Sequence, residues 1–378
     1  MAPVQFRNAR IVLADAVVEG SLVAESGEIT AIDSGASTVG EDLEGDYLIP
    51  GLVELHTDHL ENHYRPRPGV FWDPIAALHA HDVQIAGSGI TTVFDALRIG
   101  SDLDMPSMGE HVEHLLGAVT RGREGGWLRA DHLVHLRCEL PSHDALEHFN
   151  RFAALPAVRM ASLMDHTPGQ RQFQSLDAYR VFYKDKMGRT PEELEAYLAA
   201  RQAEHERYSG PNRRAIVARA HELGLVLASH DDATLAHIEE GASDGVAIAE
   251  FPTTLEAAAA AHDAGLAILI GAPNVVRGRS HSGNISATDL VRAKLLDILS
   301  SDYVPFALLQ AAFLLPQRVD GLSLPEALAT ITANPAKAAG LDDRGVLDIG
   351  KRADLVRIRI VGDMPVVRGV WRQGERVS

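Results

Sequence analysis

His56 and Asp58 are two residues apart, and in an extended strand that spacing puts both side chains on the same side. An imidazole and a carboxylate so placed can hold a divalent cation. The plainer alternative is that His56 closes a strand and Asp58 caps the next helix; for this pair alone the two readings weigh equally.

The pattern recurs, and recurrence tips the balance. Arg137-Cys138-Glu139, Asp165-His166, Ser229-His230-Asp231-Asp232 and Ser301-Asp302 each end an apolar run that reads as a strand. Two divalent ions held close together need several oxygen or nitrogen ligands, one of them bridging. The candidate metal ligands are therefore His56, Asp58, Glu139, Asp165 or His166, His230 or its neighbours Asp231 and Asp232, and Asp302, with Glu139 favoured over Glu250 as the bridge. A bridging carboxylated lysine has no candidate at a strand end, since Lys184 and Lys186 fall in a loop or helix start. Two divalent ions are expected, zinc first, with manganese or iron as alternatives for mixed nitrogen and oxygen ligands.

A second group is cationic. Arg65 and Arg67 lie in the proline-stiffened stretch Tyr64-Arg65-Pro66-Arg67-Pro68-Gly69, and Arg98 and Arg137 end the second and third strands. The stretch Gly271–Asn284, with Asn274, Arg277, Arg279 and His281, reads as an anion-binding loop. Its glycines free backbone amides, its arginines offer bidentate donors, and loops after strands seven and eight of a barrel often bind phosphate. A single loop arginine is usually just solvated; this many at strand ends of an acidic chain point to an anionic substrate. The remaining histidines read as packing or solvated groups: His79, His81, His111, His114, His221, His237 and His262 fall on helices. His59 and His63 fall in the loop after strand one, within reach of substrate but without a spacing that demands metal.

These residues need a scaffold that gathers strand ends. Eight β-rich runs, Leu52–Asp58, Thr91–Arg98, Leu133–Leu140, Met160–His166, Leu225–Asp231, Val246–Thr253, Leu266–Asn274 and Leu295–Tyr303, alternate with helix-like stretches such as Glu192–Tyr208 and Asn212–Leu223. Repeated βα units imply a parallel sheet, and eight of them an α/β fold of the (β/α)8 TIM-barrel type, whose βα loops all open on the face where the polar residues stand. Before Pro50 and after Leu341 the pattern changes to alternating strands with glycine turns (Arg10–Leu13, Ser21–Ala24, Glu28–Ile32, Asp354–Ile360, Val366–Gln373). Neither end can bury a core alone. We expect residues 1–50 and 342–378 to form one small β-sandwich module, with the barrel at 51–341.

Composition narrows the function. A chain of 378 residues with 46% hydrophobic and 23% charged residues is globular, and its formal charge of −17 repels nucleic acid and acidic membranes. No apolar run approaches a membrane span, and the N-terminal segment lacks the apolar stretch of a signal peptide, so a cytoplasmic protein is expected. The single cysteine, Cys138, excludes an intramolecular disulfide and a CxxC zinc site. Gly87-Ser88-Gly89 lacks the third glycine of a dinucleotide fingerprint and precedes a strand; no P-loop, GxSxG elbow or HExxH helix occurs. A homo-oligomer is left open.

Leu48-Ile49-Pro50-Gly51-Leu52-Val53-Glu54-Leu55-His56 resembles the entry to the first barrel strand in the amidohydrolase superfamily. Asn334-Pro335-Ala336, Gly340-Leu341, Gly345, Gly350 and Ala353-Asp354-Leu355-Val356 resemble its return into the β-module, so the resemblance spans nearly the whole chain. Within the superfamily, Glu54–Asp58, Tyr64–Val70, His135–Glu139, Met164–Gln170 and Gly271–Asn284 look like the diphosphatases of the carbon-phosphorus lyase pathway of phosphonate use. That resemblance implies hydrolysis of a phosphonate-bearing ribosyl triphosphate between its α and β phosphorus atoms, releasing pyrophosphate. It implies a metal-activated water as nucleophile, with Asp302 taking its proton. The chain departs from the superfamily in having Asp58 where a second histidine is usual and in lacking a strand-four lysine. His166 and His230 match the two later histidines, or else His166 is a substrate contact. Two other readings stand beside this one: an amidohydrolase that opens a cyclic amide or deaminates a base, and a metal-free scaffold without activity.

Overall fold

The computed structural model describes residues 3–101, 108–171, 190–279 and 284–378. The N-terminal strands are β1 (Val4–Val12), β2 (Val17–Glu25), β3 (Glu28–Ser34), β4 (Glu41–Asp42) and β5 (Tyr47–Pro50). Eight more follow: β6 (Leu52–Thr57), β7 (Ile90–Ile99), β8 (Asp131–Glu139), β9 (Val158–Met164), β10 (Val226–His230), β11 (Ile248–Glu250), β12 (Ala267–Gly271) and β13 (Ile298–Ser300). The chain closes with β14 (Leu355–Val361), β15 (Met364–Arg372) and β16 (Glu375–Arg376).

Strands β6 to β13 pair in chain order into one eight-stranded parallel sheet. Every residue of β6, β11 and β13 is buried, as expected for parallel strands covered on both faces. A parallel bridge from Thr57 to Asp302 joins the last strand to the first, giving the (β/α)8 barrel. All eight expected strands are present; β6 and β10 to β13 are shorter than the apolar runs, whereas β7 and β8 start earlier than theirs. Leu266–Asn274, for example, stops as a strand at Gly271, because Pro273 is tolerated in a first helical turn and the chain enters a helix at Ala272.

The strands of both termini form a second, mixed sheet in the order β16-β15-β14-β5-β1-β2-β3, with β4 also on β1. Its strands alternate in burial, as in β2, because one face is wet. The dry face packs Phe6, Ile11, Leu22, Leu48, Leu355 and Trp371, and the rings of Phe6 and Trp371 meet edge to face at 4.8 Å. At Gly51 the sheet hands over to β6: its amide donates to the Asp354 carbonyl at 2.8 Å, and a β-carbon there would overlap the Thr91 hydroxyl.

Contacts divide the chain into two compact units. One is Met1–Asp95 with Ala118–Leu133 and Ile270–Ser378; the other is Ala96–Gly117 with Val134–Leu269. Two helices of the first unit matter below, α1 (His59–Tyr64) and α2 (Pro74–Gly87). In the second unit, the helix Pro191–Glu204 starts at a Thr190–Glu193 capping box and continues through a π-helical turn, His205–Ser209, directly into Gly210–Leu223. The two helix-like stretches Glu192–Tyr208 and Asn212–Leu223 are thus one continuous run across Gly210-Pro211. The wider turn absorbs the amide that proline lacks, so the helix runs on.

Candidate metal centre and its charged surroundings

In the first unit, the ends of β6 and β13 are locked together. The Asp302 amide donates to the His56 carbonyl at 3.2 Å, the Asp58 amide to the Asp302 carbonyl at 3.2 Å, and the Thr57 hydroxyl to the same carbonyl at 2.9 Å. The fully buried Glu54 carboxylate accepts from the amides of His56 at 2.7 Å and Ser301 at 2.6 Å. Burial pushes its carboxyl up to about 7 against those hydrogen bonds. His56, Asp58 and Asp302 are thus brought together as expected from their strand positions. Asp58 stands at the N-cap of α1 but makes no side-chain cap hydrogen bond, which removes the capping explanation for it. Asp302 has φ of +56°, a left-handed conformation that costs an L-residue about 1–2 kcal/mol and that aspartate tolerates better than most.

The second unit carries the ends of β8 to β11. His166 Nδ1 lies 2.7 Å from Glu139 Oε2, and His230 Nδ1 lies 3.2 Å from Glu250 Oε2. Each imidazole is therefore oriented by a carboxylate from behind, with its other nitrogen turned away from that carboxylate. The two rings are 5.6 Å apart. His166, His230 and Asp231 each bring one ligand atom within 4.8 Å of the others. Asp231 Oδ2 is buried and accepts no hydrogen bond, and burial pushes the Asp231 carboxyl up to about 6 although His166 opposes the shift. An orphaned carboxylate oxygen beside two imidazoles is a donor set that fits a divalent cation. Asp231 at φ +55° and Phe251 at +53° are also left-handed, so strain gathers at these strand ends.

Glu139, expected as a bridging ligand, is surrounded by cations. Arg98 lies at 3.4 Å and Arg201 at 3.5 Å in addition to His166. Burial works against ionisation, but those three groups hold its carboxyl far below the usual range. Arg201, in the last turn of the helix Pro191–Glu204, was not anticipated; its burial is set by tertiary packing and has no local sequence signal. Nearby, the Asp165 carboxylate meets His205 Nδ1 at 2.6 Å and the Ser209 hydroxyl at 2.8 Å. These line a cavity of about 580 Å³ with Arg171, Arg213 and His237.

The other cations are less gathered. Arg98 and Arg137 are half-buried at their strand ends, whereas Arg65, Arg67, Arg277 and Arg279 are exposed, Arg65 stacking 5.9 Å from the Phe71 ring. His281 lies outside the described residues. The expected anion loop is corrected in part: residues 272–277 form a helix that ends at the left-handed Gly278, the usual place for glycine past a C-terminus. Asn274 spends its amide on the Ile285 carbonyl and the Ala287 amide, both at 3.0 Å, which fixes the chain rather than presenting a donor. His59 and His63, expected in a loop, lie on α1. Cys138 is buried in β8, and burial pushes its thiol far up, out of reach of thiolate chemistry.

One buried group escaped the sequence reading. His81 of α2 lies 2.8 Å from Asp95 of β7, whose other oxygen lies 2.8 Å from His132 of β8. Asp82 closes the chain at 3.3 Å from His132 Nε2. Burial disfavours the charge on His132, but Asp95 and Asp82 outweigh it and raise the imidazole to about 9. Asp95, likewise opposed by burial, falls to about 2.

This is the architecture of the barrel hydrolases, in which strand ends carry the chemistry. Solved structures agree on the fold: an N-acetylglucosamine-6-phosphate deacetylase from Pasteurella multocida superposes with a TM-score of 0.62 at 16% identity over 99% of each chain. An amidohydrolase from a Sargasso Sea environmental sample does so at 0.66 and 17% identity, over 100% of this chain and 93% of that one. The amidohydrolase family profile matches residues 76–378, and the chain belongs to that family. It is 46% identical, over 98% of its length and 99% of the other's, to α-D-ribose 1-methylphosphonate 5-triphosphate diphosphatase of Escherichia coli (strain K12). It is also 36% identical over 102 residues to the dihydroorotase of Methanopyrus kandleri, 22% of this chain and 23% of that protein.

Proposed function

We propose that this chain hydrolyses α-D-ribose 1-methylphosphonate 5-triphosphate between its α and β phosphorus atoms, leaving the 5-phosphate and pyrophosphate. The observation that carries this reading is the 46% identity, end to end, with the Escherichia coli enzyme of that specificity. His56, Asp58, His166, His230, Asp231 and Asp302 are the ligands proposed for two divalent ions, zinc in the first place, with Glu139 and Glu250 orienting the two later histidines. Such ions, when bound, supply a water ionised near neutral pH. Asp302 is the carboxylate that would accept a proton from the attacking water. Arg98 and Arg137, half-buried at their strand ends, offset charge on the phosphates and on the departing pyrophosphate. Among the described residues no helix is long and apolar enough to cross a membrane, and we place the enzyme in the cytoplasm. Residues 1–50 and 342–378 are proposed to act as one framing module.

Incubation with the triphosphate, followed by phosphorus NMR, tests the reading. One equivalent of pyrophosphate per ribosyl 5-phosphate is expected; orthophosphate as the first product, or no turnover with excess metal, overturns it.

A further inference from the structure

Directly after the end of β6, three imidazoles converge between α1 and α2. His59 and His63 are four residues apart on α1 and so share one face of it, while α2 supplies His81 and, one turn on, Gln84. The ring centroids lie 5.0 Å apart for His59 and His63, 5.9 Å for His63 and His81, and 6.0 Å for His59 and His81. Three imidazoles on one tetrahedral ion, at metal–nitrogen distances of roughly 2.0–2.1 Å, have centroids ~5 Å apart; the His59–His63 pair is at that spacing and His81 stands farther off.

Gln84 Oε1 lies 3.0 Å from His59 Nε2 and 3.0 Å from His63 Nε2. In a tetrahedral zinc site neighbouring ligand atoms are ~3.3 Å apart, so the Gln84 oxygen already stands at ligand spacing from each of the two nitrogens. His81 is the third ring of the group. Its Nε2 is held 2.8 Å from Asp95, the carboxylate–histidine relation that fixes a metal-bound ring, and its Nδ1 is fully buried with no hydrogen-bond partner. Burial also lowers His63 and His81, favouring the neutral form that ligates.

We propose that His59, His63 and His81, with the Gln84 amide oxygen, form a separate site for a divalent transition metal. Three imidazoles and one neutral oxygen suit zinc and its late-transition neighbours and disfavour magnesium or calcium. The ion would tie α1 to α2. No proton need leave: each neutral imidazole of α1 carries its hydrogen on Nδ1 when Nε2 ligates, and at His59 the Asn62 amide, 3.4 Å from Nδ1, then turns its oxygen to accept it.

The purified full chain is dialysed against zinc and its metal counted by plasma mass spectrometry, for the wild type and for His59→Asn and His63→Gln. Each variant should hold one equivalent fewer than the wild type. Cobalt(II) loading should show a tetrahedral absorption band that both variants lose in part, and zinc should raise the urea midpoint of the wild type more than theirs. Equal zinc content in all three proteins overturns the site. The readout is a difference between chains with identical strand ends, so failure of the strand-end centre would lower all three totals alike and leave this test standing.

Discussion

The Asp302 amide donates to the His56 carbonyl at 3.2 Å, and the Asp58 amide donates to the Asp302 carbonyl at the same distance. The last barrel strand thus delivers its aspartate against the first strand's histidine by backbone pairing, independently of any ion. Asp302→Asn should leave the circular dichroism spectrum and thermal midpoint nearly unchanged while turnover falls about 10²–10⁴-fold, the usual range for a lost general base. Wild-type rates in that variant would remove Asp302 from the chemistry.

Glu54 is the buttress beneath this pairing, because it accepts from two buried amides. Glu54→Ala strands both donors, and the expected loss of stability is about 2–4 kcal/mol. A urea midpoint within error of wild type would show that the two amides find other acceptors.

The His81–Asp95–His132 chain predicts a pH dependence. His132 rises in the folded state from 6.5 to about 9, so its stabilisation is complete below 6.5 and fades as pH rises through 9. Asp95 falls from 3.8 to about 2, so its share is complete above 3.8 and is lost as pH drops toward 2. His132→Gln should therefore cost most between those limits, near pH 5–6, and the deficit should narrow at about pH 10. The check is urea unfolding of both proteins at the two pH values; an equal deficit at both would mean that His132 is not held as an imidazolium.

Glu139 neutralises Arg98 and Arg201 as well as orienting His166. Glu139→Gln leaves the buried Arg201 and half-buried Arg98 guanidinium groups facing a neutral amide, which should cost about 3–5 kcal/mol. The double variant Glu139→Gln with Arg201→Met should regain part of that. If the second change adds to the loss instead, the pair is not electrostatically coupled.

For Asp231, the orphaned oxygen ties stability to an ion. Chelation should lower the thermal midpoint of the wild type, and added zinc should restore it; Asp231→Asn should weaken zinc affinity, read by competition with a chromogenic chelator. Unchanged affinity would exclude Asp231 from the ligand set.

Periodicity and residue type alone determined that βα units repeat eight times, that strands of both termini frame them, and that His56, Asp58, His166, His230 and Asp302 stand at strand ends. These are local properties: a strand's alternation and its polar terminus are written in adjacent residues. Tertiary structure alone decided what each end group faces. Glu139 was legible as a strand-end carboxylate, yet only the fold brings Arg201 from a distant helix to claim it. Asn274 looked like a loop donor until the segment proved helical and its amide was taken by Ile285 and Ala287. His81, Asp95 and His132 come from a helix and two strands, and His59 and His63 became neighbours only when their stretch coiled into α1. Hydrogen bonds, ion pairing and coordination act over a few ångströms in space, and no spacing along the chain encodes which remote groups will arrive within that range.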